Sequence, residues 1–133
     1  MKTNFIQNAP LFSSLSPEEQ QVIGDGMQTQ TFAKGETLFS QGQPVPALYL
    51  IKSGWVRLSR KSDSGHEMVA NLGPGSLLGE MDVLLGHAAS GTAYAVSEIS
   101  LWALSQAAIT EILTSHPTIG LRFSAALGRR VML

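Results

Sequence analysis

Cysteine is absent from all 133 residues. That single absence removes a disulfide scaffold, a cysteine nucleophile, thiolate zinc sites and a cysteine-held iron–sulfur cluster, and closes off thiol redox sensing. Long apolar runs are missing too. They extend over a few residues, far short of the roughly 20 that a membrane-spanning helix needs, and the first residues lack the basic-then-apolar order of a signal peptide. Charge is sparse, at 14% of residues with a net value of −1. Arg122, Arg129 and Arg130 place +3 on residues 117–133, which hold no acid, so the preceding part carries −4. Three arginines on a terminal helix read as a solvated flank rather than a nucleic-acid surface. The expectation is a soluble cytoplasmic protein with no membrane contact, reaching DNA only through an output domain outside this chain.

Core material is plentiful. Apolar residues make up 44% of the chain, enough at this length for one domain and rarely for two. Residues 1–133 are therefore expected to form a single domain, with an N-terminal helical unit over 1–28, a β region over 29–104 and C-terminal helices over 105–133.

The helical signals lie at the two ends. Ser16 can cap a helix, Pro17 suits its first position, and Glu19 stands three residues after the cap to complete a capping box. Gly24 and Gly26 mark its end, and Leu15, Val22 and Ile23 are its packing residues. Between Thr29 and Leu104 the texture changes to short β-prone runs: Thr29–Ala33, Thr37–Phe39, Ala47–Lys52, Trp55–Arg60, Glu67–Leu72, Thr92–Val96 and Ser100–Leu104. Turn residues separate them, as in Gly42-Gln43-Pro44, Asp63-Ser64-Gly65 and Gly73-Pro74-Gly75. Many short strands at this spacing point to an antiparallel sandwich, jelly roll or barrel. Alternation in Leu48-Tyr49-Leu50-Ile51 and in Trp55 to Arg60 predicts strands with one wet face and one core face. Trp55 and Trp102 are read as core or sandwich-face residues.

After Leu104 the period becomes helical again. Ser105 caps a helix through Ile109, Ile112 and Leu113 that stops before Pro117, because the residue preceding proline disfavours the α region. From Pro117 a second helix carries Ile119, Phe123, Ala126, Leu127 and Arg130 along one stripe. The stripe continues to the last residues. Either it pairs with another subunit, making a homodimer, or the chain is the N-terminal part of a longer protein whose next domain follows.

These residues resemble the cyclic nucleotide-binding domain family, best known from bacterial transcription regulators of the Crp–Fnr type. The likeness runs from Leu11 to about Arg130. It rests on Leu11-Phe12…Leu15-Ser16, then Phe32 to Gly42, then Leu48 to Arg57, then Leu72-Gly73-Pro74-Gly75-Ser76, then Gly79-Glu80-Met81, in that order. It implies a mainly β fold with flanking helices: an eight-stranded antiparallel jelly roll (double-stranded β-helix) with short N-terminal helices and a C-terminal dimerisation helix. It also implies a ligand pocket formed by Leu78, Gly79, Glu80, Met81, Asp82, Ala89, Ser90 and Gly91. In the family this stretch is a phosphate-binding cassette: backbone N–H groups face the ligand's anion, Gly79 permits close approach and Glu80 accepts from a ribose 2′-hydroxyl. The pattern then asks for arginine, serine or threonine, and a small residue. Those places fall on Ala89, Ser90 and Gly91, so the arginine is missing. A charge-assisted hydrogen bond contributes about 1.5–3 kcal/mol, and its loss weakens cyclic nucleotide binding by roughly one to two orders of magnitude.

The function so implied is a sensor. A small effector such as cyclic AMP or cyclic GMP binds in the jelly roll, and the C-terminal helix signals to an output such as transcription regulation. The alternatives are a degenerate dimerisation or docking module that binds no small molecule, and the regulatory domain of a transporter, channel or kinase. An enzyme is not expected. A jelly-roll metalloenzyme of the cupin kind needs two histidines one residue apart plus an acid, no nucleophile–base pair stands out, and His66, His87 and His116 share no metal-ligand spacing. A haem-dependent gas sensor would have to use a histidine such as His66, or the N-terminus, as axial ligand.

Overall fold

The computed structural model describes residues 2–132, with side chains described as far as Gly128. Backbone proximity divides the chain into a helical unit built from its two ends, Met1–Gln28 with Leu104–Leu133, and a β unit, Thr29–Ala103.

In the helical unit, α1 (Lys2–Asn8) is followed by α2 (Pro17–Gly26), and the chain returns as α4 (Gln106–Ser115) and α5 (Pro117–Met132). The expected capping box forms: the Glu19 amide donates to Ser16 Oγ at 3.1 Å and the Ser16 amide donates to Glu19 Oε1 at 2.8 Å. Two orphan N–H groups at the helix start are thereby satisfied. Arg122 Nε of α5 reaches the same carboxylate at 2.9 Å. Below this polar seam, Phe12 and Phe123 meet with ring centroids 5.8 Å apart. Ser105 caps α4 through the Ala108 amide at 3.1 Å. α1 lies in the helical unit expected over 1–28, although no cap or period marks its bounds; Ile6 is buried, and Lys2 Nζ donates to the Gly24 carbonyl at 2.7 Å.

The β unit is the jelly roll. Its strands are β1 (Gln28–Phe32), β2 (Thr37–Phe39), β3 (Ala47–Ser53), β4 (Val56–Lys61), β5 (Glu67–Leu72), β6 (Leu77–Leu78), β7 (Thr92–Ala95) and β8 (Ile99–Ser105), with helix α3 (Glu80–Leu85) between β6 and β7. They form two four-stranded sheets ordered β1-β8-β3-β6 and β2-β7-β4-β5. Tyr49 lies in the core, stacked on Phe39 and edge-on to Phe32 with centroids 6.4 Å away in both cases. Burial pushes its phenol pKa up.

Burial corrects two expectations. β3 is an inner strand, and Ala47 to Ile51 are all buried, so alternation gives way to a run covered on both faces. Trp55 is 51% exposed rather than core, while Trp102 is buried. The Trp55 ring lies over Gly73, where an added Cβ would sit 2.8 Å from it. A flat ring over a residue without a side chain keeps part of its apolar area from water even at the surface.

Candidate effector cassette

β6 leads directly into the site. Leu77 and Leu78 pair with Leu50 and Tyr49 of β3, which anchors the approach to Gly79. Gly79 then turns the chain through the left-handed region, at φ 74°. A side chain there would be strained by the backbone and would also press on Val45, whose Cγ1 lies 2.8 Å from an ideal Cβ. Six helical residues follow, and Gly86, also left-handed, ends α3. The return segment is held by main chain alone at Ala89: its amide donates to the Gln43 carbonyl at 2.8 Å, and its carbonyl accepts from the Gly42 amide at 2.9 Å. Gly91 passes the β4 backbone so closely that an added Cβ would lie 2.7 Å from the Ser59 carbonyl oxygen. β7 then pairs with β2 and β4.

The segments bearing Leu78, Gly79, Glu80, Met81 and Asp82 and those bearing Ala89, Ser90 and Gly91 meet through Asp82. Its carboxylate accepts from the Ser90 amide at 3.1 Å on Oδ2 and from Ser90 Oγ at 2.7 Å on Oδ1, and His87 Nδ1 stands 3.1 Å from Oδ1. The Asp82 side chain is only 11% exposed. Glu80 is buried as well. Residues 77–91 thus carry two acids and no lysine or arginine. Nearby on the sheet, Arg57 donates from Nε to Asn71 Oδ1 at 3.1 Å and from Nη1 to the Tyr94 hydroxyl at 3.4 Å. The sequence pointed to Asp82 as a pocket residue; its bond to Ser90, eight residues on, joins α3 to the return segment and so belongs to no single element's pattern.

The stripe assigned to dimer contact is already occupied. Ile119, Phe123, Ala126 and Leu127 are buried within this chain, and Phe123 faces Phe12. The side chain of Arg130 lies outside the described residues. The open face of α5 instead holds Thr118, Leu121, Ala125 and Gly128, with Leu121 72% exposed. In the helical unit α2 and α4 also line a groove of about 350 Å³ with Val22, Asp25, Gly26, Ala108, Glu111 and Ile112 among its walls. Among the described residues no three His, Asp or Glu side chains are grouped to hold a metal ion, and no helix is long and apolar enough to cross a membrane.

Comparison with known proteins gives a consistent picture. A family model described as the cyclic nucleotide-binding domain matches residues 29–116. The chain is 36% identical over 127 residues to the cyclic AMP receptor protein of Thermus thermophilus, covering 95% of this chain and 59% of that protein. It is 30% identical over 113 residues to the cAMP-dependent protein kinase regulatory subunit of Hypocrea atroviridis, covering 85% of this chain and 24% of that one. The crystal structure of the N-terminal domain of a transcriptional regulator from Streptomyces coelicolor superposes with a TM-score of 0.82 at 32% identity, over 96% of this chain and 90% of that one. The chain thus spans less than two thirds of the length of these curated relatives.

Proposed function

We propose, since the chain belongs to the cyclic nucleotide-binding domain family, that it works as a regulatory sensor domain whose effector sits against the cassette from Leu78 to Gly91. The observation that supports this most is the pair of tightly built turns around α3. Gly79 leaves no room for a side chain, and Ala89 is held through backbone bonds to Gly42 and Gln43. A segment held this way presents its groups to a ligand at fixed positions, which reduces the ordering cost of binding. The effector is a cyclic nucleotide, cyclic AMP or cyclic GMP, bound weakly because Ala89 supplies no guanidinium to fork onto a phosphate. The role is regulatory rather than catalytic, and the output, such as transcription control, belongs to a region outside residues 1–133.

α5 carries the signal. Its inner stripe is occupied, so the homodimer contact uses the outer face bearing Thr118, Leu121, Ala125 and Gly128, at spacings of three and four. Calorimetric titration with both cyclic nucleotides tests the sensor reading: weak, saturable heat is expected. The absence of heat in the native chain and equally in a variant supplied with arginine at position 89 would reject it. A second reading, a docking module without effector, is favoured by the lack of any lysine or arginine in residues 77–91.

A further inference from the structure

We infer that Asp82 is a tethered anion: its carboxylate takes the donors that an effector's phosphate would use, and so makes this residue the determinant of which ligands the cassette admits. The inference rests on the effector reading above. Three groups converge on the carboxylate, the Ser90 N–H, the Ser90 hydroxyl and the His87 imidazole, at 3.1, 2.7 and 3.1 Å. A backbone amide, a hydroxyl and an imidazole are a donor set that any oxyanion can use, carboxylate and phosphate alike.

Position adds to chemistry. Asp82 lies on α3 and Ser90 on the return segment, so the bonds close the cassette on itself. Being part of the same chain, the carboxylate competes at the high effective concentration of an intramolecular partner. A second oxyanion brought to Ser90 would meet an occupied hydroxyl and amide together with a like charge on a largely buried side chain. Residues 77–91 offer no lysine or arginine to offset that repulsion. Ala89 and Asp82 therefore act in the same direction: one withholds a cation, the other supplies an anion. The cassette as folded thus holds a cyclic nucleotide only weakly, and a ligand whose contact with Ser90 is uncharged escapes this penalty.

The test uses the full chain and two probes that share base and sugar, cyclic AMP and adenosine, titrated by calorimetry into the native protein, Asp82→Ala, Asp82→Asn and Asp82→Ala combined with Ala89→Arg. Asp82→Asn keeps an oxygen that can accept from Ser90 and so preserves the closed loop without the charge; thermal melting confirms that each variant folds. The native chain is expected to bind cyclic AMP no more tightly than adenosine. Either single variant should tighten cyclic AMP at least about tenfold and the double variant at least about a hundredfold, with adenosine moving less than about threefold on the same scale. Hydrogen exchange at the Ser90 amide should also accelerate in Asp82→Ala without any ligand. A native chain that already prefers cyclic AMP, with affinity unchanged in the folded Asp82 variants, overturns this inference and leaves the sensor reading standing. No binding of either probe to any of the four proteins removes both.

Discussion

Glu19 at the start of α2 and Asp82 in α3 each accept a hydrogen bond from a serine backbone amide, and the two neighbourhoods could hardly treat that carboxylate more differently. Glu19 receives the Ser16 amide at 2.8 Å and the Arg122 guanidinium at 2.9 Å, so the charge is neutralised beside a half-exposed arginine. The bond from Ser16 is the main reason its pKa lies below the ordinary value of 4.5; burial opposes this and Arg122 adds to it. Asp82 receives both the amide and the hydroxyl of Ser90, faces His87, and has no lysine or arginine within residues 77–91. The first pair starts a helix, which any sequence with the right cap can do. The second joins α3 to the return segment and, on the proposal above, occupies a serine that a ligand would otherwise use. The same contact is local support in one place and a link between two separate segments in the other.

The comparison breaks most visibly at Gly91. Gly91→Val drives a branched side chain against the Ser59 carbonyl and should cost about 1–3 kcal/mol in urea unfolding, while hydrogen exchange at Ser90 shows its bond to Asp82 loosened. If stability and Ser90 protection both stayed native, the cassette would not be held as tightly as its geometry indicates. Ser16→Ala addresses the other member of the comparison. Losing the cap should lower stability by about 1 kcal/mol and leave the Ser90 amide untouched.

The smallest effect belongs to Arg122→Gln, at less than about 1 kcal/mol for a half-exposed ion pair, and raised salt should erase much of it. Its pH signature is more telling than its size. A carboxyl whose folded pKa is depressed stabilises the fold above its unfolded value and loses that contribution as pH falls through the folded value. For Glu19 the loss therefore lies below about pH 4.5. Removing Arg122 should move the acid limb of a melting curve upward toward that value. An unmoved limb would mean that Ser16 alone holds the charge.

Much of the architecture was legible because turn chemistry and caps act locally. Thr37–Phe39 and Glu67–Leu72 are strands over the residues expected, Ser16, Glu19 and Ser105 set helix starts through bonds that span three residues, and Pro17 and Pro117 do so through the backbone angles they fix. β6 escaped notice since two residues carry no period; Leu77 and Leu78 are a strand only because Leu50 and Tyr49 pair with them. α1 lacked a cap signal and depends on Ile6 and on Lys2 reaching Gly24. In α5 the apolar stripe was visible but its partner was not, because a period shows that a face is covered without showing by what. The cassette divides the same way. Gly79 and the missing arginine at Ala89 could be found by position, whereas the bond that Ser90 donates to Asp82 depends on α3 and on a return segment held by Gly42 and Gln43, which no local pattern shows.

The β4–β5 hairpin is tied to the return segment through β7. β7 leaves Gly91 and pairs with β4, and β4 holds β5 through six matched pairs from Val56↔Leu72 to Lys61↔Glu67. At the far end Asp63, Ser64 and Gly65 form an exposed tip closed by the Ser62 amide on the His66 carbonyl at 2.9 Å. Exposed tips of this kind tolerate insertions. A fluorescent reporter spliced in after Ser64 would therefore test whether a change at Ser90 is carried through β7 and β4 to this tip.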